Sequence, residues 1–196
     1  MQKGFGHMIQ TVKGSAEVCR SFIGKLKERI GENDRKVDGA VAEILENVRK
    51  NGDAAVRAYT EKFDGAAPEK TEISREELKA LAAQCDPAFL ESLEKAAANI
   101  RDFHQRQKQQ SWLTTQQDGV LMGQRVRGLH RVGIYVPGGT AAYPSSVLMN
   151  AIPAKIAEVG EIIMVTPPAK GGKPNPDIMA AALVAGGDRG FLLGGA

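Results

Sequence analysis

Apolar positions recur at helical spacing through the first half of the chain and at strand spacing through much of the second. Val18, Phe22, Ile23, Leu26 and Ile30 share one helical stripe, with Lys25, Lys27, Glu28 and Arg29 between them, and Gly31 is placed to stop that helix. A second stripe, Val37, Val41, Ile44, Leu45 and Val48, predicts a helix over 34–51, with Asp34 as N-cap and Gly52 as C-cap. Asp53 opens a short helix through Tyr59 and Lys62, broken by the turn Phe63-Asp64-Gly65. Ser74 followed by Glu77 has capping-box spacing and opens a helix through Ala83. Asp86-Pro87 starts another, with proline at the first helical position, running through Phe89, Leu93, Ala96, Ile100 and Phe103 to about Lys108.

The rhythm changes near Trp112. Trp112–Thr115 and Val120–Val126 read as a hairpin turning at Gln117, Asp118 and Gly119. Then come a buried strand (Val132–Val136), a glycine loop, a helix from Pro144 to about Val159, and a second strand (Glu161–Thr166). A Pro/Gly-rich loop, a helix over Asp177–Ala185 and a third strand near Gly190–Leu193 follow. This β-α-β-α-β alternation implies a parallel sheet. The organisation expected is a helical arm (1–33), a helical region with a hairpin (34–128) and half of a doubly wound sheet (129–196). The last strand, Phe191–Leu193, is expected to lack its following helix and to expose apolar surface.

Composition narrows the class. Apolar residues make up 42% of 196 residues and charged residues 25%, which excludes disordered and fibrous chains. No apolar run is long enough for a membrane span, and the first 30 residues show no secretory core, so a cytoplasmic location is expected. Two cysteines, Cys19 and Cys85, do not make a disulfide scaffold. Residues 101–196 carry 10 basic and 6 acidic side chains against 16 and 17 in residues 1–100. That excess is too thin for a nucleic-acid binder. Its densest stretch, Arg125, Arg127, His130 and Arg131, reads as a strand with a solvated face, or else as one facing an anion or a subunit.

The segment 132–150, Val-Gly-Ile-Tyr-Val-Pro-Gly-Gly-Thr-Ala-Ala-Tyr-Pro-Ser-Ser-Val-Leu-Met-Asn, carries the most chemistry. Pro137 ends a buried strand, Gly138-Gly139 permits close approach of a ligand to backbone, and Pro144 presets a helical turn. A glycine loop between a parallel strand and a helix N-terminus is where open α/β sheets bind ligands, often anionic ones. A tight structural turn is the alternative, since the loop is neither a G-x-G-x-x-G nor a Walker sequence. Tyr135 either lies against a planar ligand or is a core tyrosine.

Gly133–Gly139, Tyr143–Lys155 and Val165–Pro168 resemble histidinol dehydrogenases, as do Val48–Ala55, Tyr59–Gly65 and Asn99–Gln105 upstream. The resemblance covers about residues 34–196 and implies an incomplete Rossmann-like sheet, so the fold class expected is α/β with a helical N-terminal region. It also implies NAD- and zinc-dependent oxidation of L-histidinol to L-histidine through the aldehyde, in a homodimer whose sites draw on both subunits. Tyr135 falls on the family's NAD-contacting tyrosine, with Gly138 and Gly139 on the adjoining loop. The family's zinc ligands, its Glu-His pair and its next NAD contacts are expected beyond Ala196, so the chain alone is expected to be inactive. His7, His104 and His130, with Cys19 and Cys85, show no zinc-ligand spacing. The alternatives are a non-catalytic nucleotide-binding or assembly module derived from that family, or a generic phosphate-binding domain.

Overall fold

The computed structural model describes residues 13–138 and 142–194, without the side chains of residues 26 and 28–36. His7 and Gly139 lie outside the described residues. The chain forms two compact units, residues 1–52 and 53–196.

In the first unit, one helix, α1 (Ala16–Asn51), replaces the two helices expected on either side of Gly31. Asp34 is therefore no N-cap. A lone glycine costs a helix interior about 1 kcal/mol and does not end it when good helix formers follow on both sides. The end comes at Gly52, as expected, whose N–H donates to the Val48 carbonyl at 2.8 Å. Val18, Ile23, Val37, Val41 and Leu45 of the two stripes are exposed.

The second unit contains α2 (Asp53–Asp64), β1 (Glu72–Ile73), α3 (Arg75–Ala82), α4 (Pro87–Gln105), the hairpin β2 (Trp112–Thr115) and β3 (Leu121–Gln124), β4 (Arg131–Tyr135), α5 (Pro144–Ile156), β5 (Glu161–Thr166), α6 (Pro176–Ala185) and β6 (Arg189–Leu192). The capping box is present. Ser74 Oγ accepts from the Glu77 N–H at 3.3 Å, and the Ser74 N–H donates to Glu77 Oε2 at 2.6 Å. That backbone bond, followed by the Lys70 ammonium, holds the Glu77 carboxyl down at about 2. Asp86 caps α4 by accepting from the Ala88 N–H at 2.8 Å.

The main sheet has the order β1-β6-β5-β4, with β4, β5 and β6 parallel and β1 antiparallel to β6. Glu72 pairs with Phe191, and the Leu192 N–H donates to the Thr71 carbonyl at 2.7 Å. β6 is thus not left bare, because β1 covers its outer edge and Leu192 is buried. β1 and β4 are the edge strands of this sheet.

One face of the sheet is packed and the other is open. Val132 and Ile134 of β4, Ile162 and Met164 of β5, and Leu192 of β6 join the core formed with α3 to α6. α6 is buried almost all round, and its run of Ala180, Ala181 and Ala182 lets it fit among α3, α4 and α5. Helices this apolar on every side belong inside a core. On the other face Arg131, Gly133 and Tyr135 are exposed, and Glu161, Ile163, Val165, Arg189 and Phe191 are half-buried. Charges cross its amino half: Arg131 pairs with Glu161, and Arg189 Nε donates to Glu72 Oε1 at 2.7 Å. Arg131 is thereby neutralised within the sheet.

Asp188 ties three elements together. It accepts from Lys155 Nζ at 2.7 Å, at the end of α5, and from the Ile162 N–H at 2.8 Å, at the start of β5. Burial pushes its carboxyl up, but these bonds outweigh burial and hold it below the ordinary carboxylate range. Asp188→Ala leaves the Ile162 amide unmatched inside the sheet and is expected to cost about 2 kcal/mol in urea unfolding. A folded-state carboxyl held low stabilises above the ordinary range and loses that contribution as pH falls. The difference between the two proteins is therefore expected to shrink in acid.

Candidate functional site

Parallel strands deliver their carboxyl ends to one edge of the sheet, and the loops leaving that edge define the site. β4 ends at Tyr135, which continues into Val136, Pro137 and Gly138. The strand is held to its end, since the Val136 N–H donates to the Val165 carbonyl at 2.8 Å. Val136 is fully buried while Tyr135, one residue earlier, is 54% exposed on the open face. Alternation along a strand makes that difference. Tyr135 is therefore not a core tyrosine.

Gly138 passes close to the end of β5. A methyl group there would meet the Pro167 carbonyl oxygen at 3.3 Å and Thr166 Oγ1 at 3.5 Å. Glycine at this position lets the loop lie against the neighbouring strand's end. Beyond the loop, α5 begins at Pro144 with Tyr143 as its N-cap, and no side chain among the described residues caps it. The Ser146 N–H is met by the Tyr143 carbonyl at 3.0 Å.

The structure adds residues that sequence reasoning did not assign to this edge. The last turn of α2 sits at the carboxyl end of β6. Thr60 Oγ1 accepts from the Gly194 N–H at 3.4 Å, and a methyl group on Gly194 would come within 2.3 Å of Asp64 Oδ2. Burial, and then the charge of Asp64, push the Tyr135 hydroxyl above its ordinary range. Tyr135 therefore stays a neutral hydrogen-bond donor at neutral pH. The segment Tyr59–Gly65 carries part of the family resemblance, which is the signal that would have placed α2 here. Its turn chemistry alone suggested only a helix end.

Among the described residues no three His, Cys, Asp or Glu side chains converge to hold an ion. His104 is at the end of α4, with Nδ1 2.7 Å from Gln107 Oε1, and His130 precedes β4 at the opposite end of the strand from Tyr135. Cys19 and Cys85 are free thiols. Burial and Asp177, whose Oδ1 lies 3.7 Å from Sγ, push the Cys85 thiol up, the reverse of an activated nucleophile.

Residues 27–196 match the family model described as histidinol dehydrogenase. The chain belongs to the histidinol dehydrogenase family. The histidinol dehydrogenase of Clostridium acetobutylicum is 47% identical over 189 residues, which cover 96% of this chain and 44% of that protein. That of Geobacillus kaustophilus is 47% identical over 188 residues, covering 96% of this chain and 42% of that protein. The crystal structure of the Elizabethkingia anophelis histidinol dehydrogenase matches 81% of this chain and 37% of its own, with a TM-score of 0.75 and 33% identity. The chain thus spans less than half the length of these relatives. The match confirms an α/β fold of this family, and no described helix is long and apolar enough to cross a membrane.

Proposed function

We propose that this chain forms one wall of the NAD site of a histidinol dehydrogenase, an enzyme that oxidises L-histidinol to L-histidine through the aldehyde. The observation that carries the reading is Tyr135, exposed at the carboxyl end of β4 beside a glycine that a methyl group would crowd. Tyr135 offers a ring face to a planar ligand and a protonated hydroxyl to an acceptor. Gly138, with Gly139 after it, lets a ligand approach backbone, and the amide end of α5 favours an anionic group. When bound, NAD supplies the hydride acceptor. The described residues do not fit the zinc that the family uses, so its ligands are assigned to the rest of a family-length protein. The same reading carries a homodimer, a cytoplasmic location and a small-molecule substrate, with neither nucleic acid nor membrane as partner.

Calorimetric titration with NAD tests it. One wall of a cleft is expected to give a dissociation constant on the order of 1 mM, and Tyr135→Ala is expected to weaken it about tenfold or more. The same affinity with Tyr135→Ala, or no heat at all at about 10 mM NAD, would remove the assignment.

A further inference from the structure

The solvated-face and anion-facing readings of the basic stretch 125–131 divide residue by residue. Arg131 is spent on Glu161 in the sheet. Arg127 has no ion pair or hydrogen bond among the described residues, and it lines a cavity of about 320 Å³. The cavity lies between the end of α4, the segment 126–128 and the end of α5. His104, Gln107, Lys108, Gln109 and Arg127 are among its polar lining, and Val126, Pro153 and Ile156 supply apolar wall. The Glu158 carboxylate also lines it, but Lys108 is paired with that carboxylate, so Arg127 is the uncompensated charge.

We infer that this cavity is a binding site for a small organic carboxylate, with Arg127 as its anchor. A volume of this size, apolar walls and a few converging polar groups describe a small-molecule site. An unpaired guanidinium presents a planar donor fork that matches a carboxylate in two parallel hydrogen bonds. His104 has one ring nitrogen engaged with Gln107, leaving the other for a second contact. An apolar body on Val126, Pro153 and Ile156 excludes water from that pair. The bonds from the Gly160 N–H to the Leu129 carbonyl and from the Glu161 N–H to the His130 carbonyl, both 3.0 Å, hold the wall beside α5. The site is separate from the Tyr135 edge: it lies at the carboxyl ends of α4 and α5, whereas Tyr143 and Pro144 open α5 at its other end.

Benzoate is a suitable probe, with benzyl alcohol lacking the charge and inorganic phosphate lacking the apolar body. Backbone amide shifts in this chain are expected to move at residues 126–128 and 157–158 on adding benzoate, with a dissociation constant on the order of 1 mM for a fragment of that size. Benzyl alcohol, phosphate and the Arg127→Ala protein are each expected to bind about tenfold more weakly or worse. Arg125→Ala and Tyr135→Ala are expected to leave benzoate binding unchanged. The inference is overturned by no shifts at about 20 mM benzoate. It is equally overturned by shifts that persist in Arg127→Ala, by phosphate binding as well as benzoate, or by shifts confined to the Tyr135 edge. None of these results bears on NAD, so the two sites stand or fall apart.

Discussion

Gly128→Ala is expected to destabilise residues 53–196 by more than about 4 kcal/mol, the largest loss from an added methyl group at any described glycine. A methyl carbon on Gly128 would sit 2.0 Å from the Glu158 carbonyl oxygen, 2.4 Å from its carbon and 2.7 Å from the Ala157 oxygen. All three are backbone atoms, so no rotamer change relieves the overlap. Moving the backbone is resisted from both sides. The next residues, Leu129 and His130, accept from Gly160 and Glu161, and Glu158 is already turned to a left-handed φ of 61°. Relief requires the approach to β4 to separate from the end of α5, opening the core around Ile152 and Ile162. Stabilities of domains this size run to roughly 5–15 kcal/mol, so the variant is expected to have lost most of its urea midpoint or to be recovered unfolded. Gly133→Ala is the matched control: Gly133 is on the open face of β4 and nothing lies within 4 Å of the added carbon. Its midpoint is expected to shift by no more than about 0.5 kcal/mol equivalent. A Gly128→Ala protein as stable as Gly133→Ala would show that the contact is not as close as described.

What was readable in the sequence is what local chemistry decides. Asp86-Pro87 and the Ser74–Glu77 pair open helices because cap and proline act within one turn. Glu161–Thr166 reads as a strand because its run is short and apolar and is bounded by Gly160 and Pro167. β1 could not be read, since two residues become a strand only by pairing with Gly190 and Phe191, more than a hundred positions away. The same holds for the place of α2 at the sheet's carboxyl edge. Thr60 and Asp64 reach Gly194 through folding alone, and no spacing links them in the chain. The error at Gly31 ran the other way, giving a local signal more force than one glycine has. Tyr135 and Gly138 can be placed at the sheet's carboxyl edge from sequence because strand, loop and helix are consecutive there, so that edge is legible wherever a single βα unit builds it.

Supplied with NAD, zinc and L-histidinol, this chain is expected to form no NADH above buffer. Hydride can leave the alcohol carbon readily only when the hydroxyl proton is taken up, and that requires a base in reach. Among the described residues no histidine reaches the Tyr135 edge. His130 is at the far end of β4, which at about 3.3 Å per residue puts it roughly 16 Å along the strand. His104 belongs to the cavity at the end of α4. Asp64 is the carboxylate that acts on Tyr135, and its effect is to keep the tyrosine's proton in place. Enzymes of this kind supply accelerations of a millionfold or more, so their loss leaves nothing measurable. Joined to the part of the Clostridium acetobutylicum relative that lies beyond the matched region, the same residues are expected to turn over histidinol. Tyr135→Ala in that joined protein is expected to raise KM for NAD about tenfold or more. Chelator-sensitive NADH formation by the chain alone would show that a metal site and a base assemble from residues outside those described. A joined protein that folds and turns over with Tyr135→Ala unimpaired would move the cofactor away from the carboxyl end of β4.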